Sequence, residues 1–137
     1  MFICKHEVQY YETDRMGITH HSNYVRWMEE ARTFFLREIG WPYEKIEEEE
    51  IISPVTSISC DYKATSTFAD VISIEINVKR VKSAKLTFVY NMVNQNGILV
   101  CTAVSEHSFL SKDGGFVNLK RDHSSFFNLL KEHSVMQ

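Results

Sequence analysis

The chain has 137 residues and a mass of 16.0 kDa, which is room for a single domain over residues 1–137 and too little for two full cores. Its 44% hydrophobic and 24% charged residues exclude a disordered or fibrous chain. The 15 Lys+Arg against 18 Asp+Glu give a formal charge of -3, the wrong sign for a protein that binds nucleic acid by neutralising phosphates.

Residues 2–10 alternate, with Phe2, Cys4, His6, Val8 and Tyr10 on one side, and predict a half-buried strand. A polar loop follows, reading YYETDRMGITHHSNY from Tyr10 to Tyr24. From Ser22 to Ile39 the period changes: Tyr24, Trp27, Met28, Ala31, Phe34 and Phe35 fall on one helix face. Arg26, Glu29, Glu30, Arg32, Arg37 and Glu38 are expected on its less buried side. Ser22 is the expected N-cap, and Gly40 followed by Pro42 the expected stop. The acidic run at 44–50 predicts a solvated loop or helix end.

Strand patterns then fill residues 52–62, 71–80, 84–94 and 98–110. The stretch 86–105 carries no charge, but Asn96-Gly97 between two alternating runs marks a hairpin and not a membrane span. Residues 123–133, with Phe126, Phe127, Leu129 and Leu130, predict a short amphipathic helix. The order is α+β: one five-stranded antiparallel sheet whose apolar face needs one long helix to cover it. Such a sheet leaves an edge that a second copy can pair with, so a homodimer or homotetramer is expected.

Chemistry concentrates in the loop at 10–24. It holds a carboxylate (Asp14), a flexible glycine (Gly17), two histidines (His20, His21) and then a helix N-terminus, whose free N–H groups suit a developing oxyanion. Asp14 can activate water or attack a carbonyl directly. The plainer alternative is a turn in which Asp14 caps the loop and the histidines face solvent. Cys4, Cys60 and Cys101 are odd in number, lack a C-x-x-C pair and sit in strand patterns, so they read as reduced core thiols of a cytoplasmic protein. Lys5 and Glu7 stand where a signal peptide needs apolar residues. No metal-ligand spacing, Gly-rich phosphate loop or G-x-S-x-G elbow is present.

The string YETDRMGITHHSNYVRWMEEAR resembles the signature of hotdog-fold acyl-CoA thioesterases of the 4-hydroxybenzoyl-CoA thioesterase type, including their YbgC-like branch. Tyr10, Asp14, Gly17, His21, Tyr24, Glu29, Ala31 and Arg32 all fall on that pattern, and DYKATSTFADVISIEI resembles the family's second signature, with Asp70 before a strand. The resemblance implies a hotdog fold and hydrolysis of an acyl-CoA to free acid and coenzyme A. Asp14 is then the catalytic carboxylate, His21 orients substrate or water, and Tyr10 hydrogen-bonds within the site. Gly17, Ser22, Tyr24 and Glu29 stand beside substrate or the oxyanion. Arg80, Lys82, Ser83 and Lys85, in a turn between two strands, are the candidate contacts for the coenzyme A phosphates. No metal or cofactor is implied, coenzyme A being part of the substrate. Thr19-His20-His21 departs from the usual YbgC-like Val-Tyr-His and leaves His20 without a role. Acyl carrier protein thioesters as substrate, or a non-catalytic acyl-CoA-binding oligomer, are the alternatives.

Overall fold

A computed structural model describes residues 1–135. Five strands form one antiparallel sheet: β1 (Phe2–Glu7), β3 (Val55–Tyr62), β4 (Val71–Lys82), β5 (Lys85–Val93) and β6 (Leu99–Ser108), in the spatial order β1-β4-β5-β6-β3. Two further two-residue strands, β2 (Ile51–Ile52) and β7 (Leu110–Ser111), pair with each other beside it. The helices are α1 (Ser22–Glu38), α2 (Tyr43–Glu48), α3 (Leu119–Asp122) and α4 (Ser124–Glu132). This is the hotdog arrangement expected from the sequence, with α1 packed on β1 and β4.

Period-2 alternation explains the sheet. Ile72, Ile74, Ile76 and Val78 of β4 and Leu86, Phe88, Tyr90 and Met92 of β5 are all buried on the face beneath α1. The β5–β6 hairpin closes where Asn-Gly predicts: Asn94 Oδ1 accepts the N–H groups of Asn96 and Ile98, and Gly97 takes φ +79°. Trp27, Met28, Ala31 and Phe35 of α1 are buried against this surface, with Phe35 edge-on to Phe2 at 4.8 Å and to Phe88 at 5.4 Å. Phe34 is only half-buried.

Arg32 reverses its expected place. It follows Met28 by four and precedes Phe35 by three, so the helix carries it onto the apolar stripe, where it is 5% exposed. Its Nη1 donates to the Tyr90 hydroxyl (3.1 Å), which meets Ser105 Oγ (2.6 Å), which meets His107 Nε2 (2.8 Å). Among the described residues no carboxylate forms a salt bridge with it. The acidic run at 44–50 is for the most part α2, which turns Ile46 inward. α4 buries Phe126, Phe127 and Leu130, and Phe126 stacks on Trp41 at 4.5 Å.

Burial and the Arg32 charge push the His107 imidazole down to about 4. The unfolded chain takes up this proton near the ordinary value of 6.5, so the folded state loses stability as pH falls from about 6.5 to about 4. His107→Gln removes that contribution. Across this window the wild type should lose on the order of 3 kcal/mol more than the variant, as read from urea midpoints measured at intervals of pH.

Candidate active site

The loop between β1 and α1 is built as a closed clasp. A 3₁₀ turn (Tyr10–Glu12) leads into it, Thr13 and Thr19 pair across its base, and the His20 N–H donates to the Glu12 carbonyl at 2.8 Å. Within the clasp the Asp14 N–H donates to the Ile18 carbonyl and the Gly17 N–H to the Asp14 carbonyl. Gly17 has φ +79°, a left-handed conformation that costs a side-chain-bearing residue roughly 1–2 kcal/mol. Asp14 is partly exposed; its Oδ1 accepts the Met16 N–H at 2.8 Å, and its Oδ2 has no hydrogen-bond partner among the described residues.

The segment 63–70 braces this clasp from the side. The Thr19 N–H donates to the Ser66 carbonyl, Thr19 Oγ1 and Ser66 Oγ are 2.6 Å apart, and the Thr67 hydroxyl donates to the Gly17 carbonyl at 2.7 Å. Asp70 is a brace too: its carboxylate accepts from the Thr67 N–H and from Gln95 Nε2.

The start of α1 differs from expectation in an informative way. Ser22 is not the N-cap. His21 holds that position in an αR conformation, so no side chain caps in the usual sense; instead His20 Nδ1 accepts the Ser22 N–H at 3.2 Å and meets Ser22 Oγ at 2.8 Å. The Asn23 and Tyr24 N–H groups fold back onto the His20 and His21 carbonyls. One N–H at this end, that of His21, has no acceptor among the described residues. The His21 ring is exposed, stacked on His20 at 4.4 Å and edge-on to Tyr62 at 6.2 Å. His20, unassigned from sequence, thus closes the helix start.

Three expected site residues lie elsewhere. Tyr24 is buried at 3% exposure, and its hydroxyl meets Ser66 Oγ at 2.9 Å, so it joins helix to brace. Glu29 is exposed two helical turns beyond Ser22, beside a groove shared with Arg26, Glu30 and Phe34. The Tyr10 side chain is 75% exposed and edge-on to Phe68, and its hydroxyl makes no hydrogen bond among the described residues.

Arg80, Lys82 and Lys85 do converge, with Lys79, Thr87 and Glu106, around a cleft of about 140 Å³; Lys85 Nζ is 3.0 Å from Glu106. Ser83 is outside that lining and gives its carbonyl to the Leu119 N–H. The cleft lies at the far end of β4 from Asp70, twelve residues and about 36 Å away along the strand. Cys101 is buried, and burial with Cys60 nearby pushes its thiol up to about 12, far from a nucleophile's range.

Sequence reasoning missed Glu12. It is 5% exposed, and its carboxylate accepts from the Gln9 N–H (2.8 Å), Trp27 Nε1 (2.9 Å) and His6 Nε2 (2.8 Å). Burial works against its charge, but the Gln9 N–H, His6 and the Trp27 N–H outweigh that and hold the carboxyl below its ordinary value. The one signal available was its position six residues from His6, across the end of the first strand.

The chain and its fold have counterparts among known proteins. Residues 8–126 match the family model of the thioesterase-like superfamily. A candidate esterase of Aquifex aeolicus is 36% identical over 121 residues, 88% of this chain and 93% of its own. A candidate acyl-CoA thioesterase of Bacillus subtilis, YneP, is 33% identical over 107 residues, 78% of each. Among solved structures, a DHNA-CoA thioesterase from Staphylococcus aureus superposes with a TM-score of 0.90 at 27% identity, covering 95% of this chain and 88% of that one. The chain belongs to the thioesterase-like superfamily, and as a member of it is a thioester hydrolase of hotdog fold.

Placing Tyr24 in the brace gives a test. Tyr24→Phe removes one buried hydroxyl bond and should cost about 1 kcal/mol of stability, while turnover of the best thioester stays within about threefold. Chemical denaturation and steady-state kinetics on the same preparation check both halves.

Proposed function

We propose that this protein hydrolyses acyl-coenzyme A thioesters and that Asp14 is its catalytic carboxylate. The observation that carries the reading is the clasp itself: a partly exposed carboxylate oxygen and an uncommitted N–H, that of His21 at the N-terminus of a 17-residue helix, held on one closed loop. The thioester carbonyl oxygen accepts from the His21 N–H, supported by the positive end of α1. Asp14 Oδ2 takes a proton from water as the water oxygen bonds to the carbonyl carbon, or bonds to that carbon itself. The C–S bond then breaks, and coenzyme A leaves as a thiol once a proton reaches its sulfur. In the second route water afterwards cleaves the acyl-aspartyl anhydride. Water is the only co-substrate in either case. The related names, an acyl-CoA thioesterase among them, support the substrate class.

The distance between Asp14 and the basic cleft bears on assembly. β3 is one of the two edges of the sheet and, unlike the half-buried β1, is exposed on nearly its whole length, with Val55, Ile58 and Tyr62 open to solvent. A second copy pairing antiparallel along β3 brings the Val55 end of one chain to the Tyr62 end of the other. Tyr62 lies at the Asp14 end, since its hydroxyl reaches the His21 carbonyl; Val55 lies opposite His107, whose other neighbour in the sheet is Leu86 beside the basic turn. The dimer therefore supplies the Asp14 of one chain with the Arg80, Lys82 and Lys85 cleft of its partner, two strands in from the shared edge, or about 10 Å. The thioester and the coenzyme A phosphates are then held by different chains. The three cysteines are free, which suits the cytoplasm.

Asp14→Asn should lower kcat on the best acyl-CoA by about 10² or more, measured as thiol release across short, long and aromatic acyl groups. Near-wild-type turnover in the variant removes Asp14 from the chemistry. A wild type that binds these esters and releases no thiol points to a different thioester carrier or a binding role.

Mixing tests the shared site. Asp14→Ala and Lys82→Glu chains, each weak alone at low acyl-CoA, should regain activity when co-expressed, because one of the two composite sites in each hybrid dimer is intact. No gain in a verified hybrid dimer places both groups in one chain.

A further inference from the structure

Glu12 touches neither end of the proposed chemistry, yet both ends hang from it. Its carboxylate is fixed by β1, the 3₁₀ turn and α1 through His6, the Gln9 N–H and Trp27. Its carbonyl accepts the His20 N–H at 2.8 Å and Asn23 Nδ2 at 2.9 Å. The first of these closes the clasp that holds Asp14; the second ties the first turn of α1, which carries the His21 N–H, to the same atom. His6 in turn is held from both sides: Nε2 on Glu12 Oε1 and Nδ1 on Glu30 Oε2, each at 2.8 Å. The facing titratable groups are Glu12 from the turn and Glu30 from α1, with the Trp27 ring 4.8 Å away.

We infer that Glu12, held by His6 and Trp27, is a positioning residue that sets the spacing between the Asp14 carboxylate and the His21 N–H. The inference rests on the thioesterase reading of Asp14. Such a role acts on the transition state, where displacement of a reacting group by about 1 Å costs about 10²-fold, and leaves ground-state binding of the coenzyme A arm to other residues. A residue that only stabilised the fold would lower the amount of active protein without changing the kinetic constants of what remains folded.

The experiment compares Glu12→Gln, Trp27→Phe and Asn23→Ala with wild type. Glu12→Gln keeps the shape but turns an amide toward at least one of the three donors; Trp27→Phe deletes a single N–H from the carboxylate; Asn23→Ala cuts the tie between the Glu12 carbonyl and α1. Circular dichroism and thermal melting identify which variants fold, and the two milder changes carry the test if Glu12→Gln does not. Expected for each folded variant is a fall in kcat of about tenfold or more with KM within about threefold. Amide hydrogen exchange over residues 13–21 should also quicken by about tenfold or more while β4 and β5 keep their protection. Unchanged kcat together with unchanged exchange in the clasp overturns the inference. If the wild type turns over no thioester, the thioesterase reading fails, and the exchange measurement still decides whether Glu12 holds the clasp.

Discussion

A buried carboxylate must be surrounded by donors, and around Glu12 that requirement organises one whole end of the molecule. The donors come from a strand, a turn and a helix that are not neighbours in sequence: His6, the Gln9 N–H and Trp27. Leaving a charge of this kind uncompensated costs several kcal/mol, so the three elements are constrained to meet. The clasp at 13–19 then hangs from a fixed point. An exposed loop on a rigid anchor is the usual way to combine access with precision.

The sheet plays a different part. Its apolar face holds α1 through dispersion and burial alone over most of its area, and such packing tolerates small shifts. The polar end does not. The brace at Ser66 and Thr67, the Asp70 contacts and the His20 closure of the helix are all directional hydrogen bonds, several of them to backbone atoms. Chemistry that depends on angles thus sits where the angles are fixed by hydrogen bonds, and the greasier half of the protein supplies mainly stability.

Much of this architecture is legible from periodicity. Alternation in β4 and β5 and the 3.6-residue stripe of α1 are long signals, and each buried residue repeats the same message. Asn96-Gly97 adds a turn whose backbone chemistry is local. The clasp was legible as a cluster of reactive residue types around Asp14, Gly17 and His21, but its interior bonding was not. Glu12 looks like any other acid in a polar loop, because its burial is created by His6 and Trp27, six residues before and fifteen after it. Tyr24 and Glu29 match a pattern in sequence, yet helix geometry turns one into the core and sends the other along an outer face. Ser22 has the right chemistry for a cap, but the αR backbone at His21 starts the helix one residue too early for its hydroxyl to act. At Arg32 the spacing from Met28 and Phe35 outweighs the charge and carries the side chain inward.

That guanidinium also fixes something about α1 that hydrocarbon contacts leave loose. Turning the helix by one residue rotates it about 100°, which would swing Arg32 away from the Tyr90 hydroxyl and break that bond. Asn23, Tyr24, Trp27 and Glu30 already peg the first turns of α1 with polar contacts, and Arg32 adds one further along the helix. The orientation of the helix, and with it the direction in which its first turn points, is thereby keyed also at Arg32, ten residues downstream of Ser22 and remote from the reacting atoms.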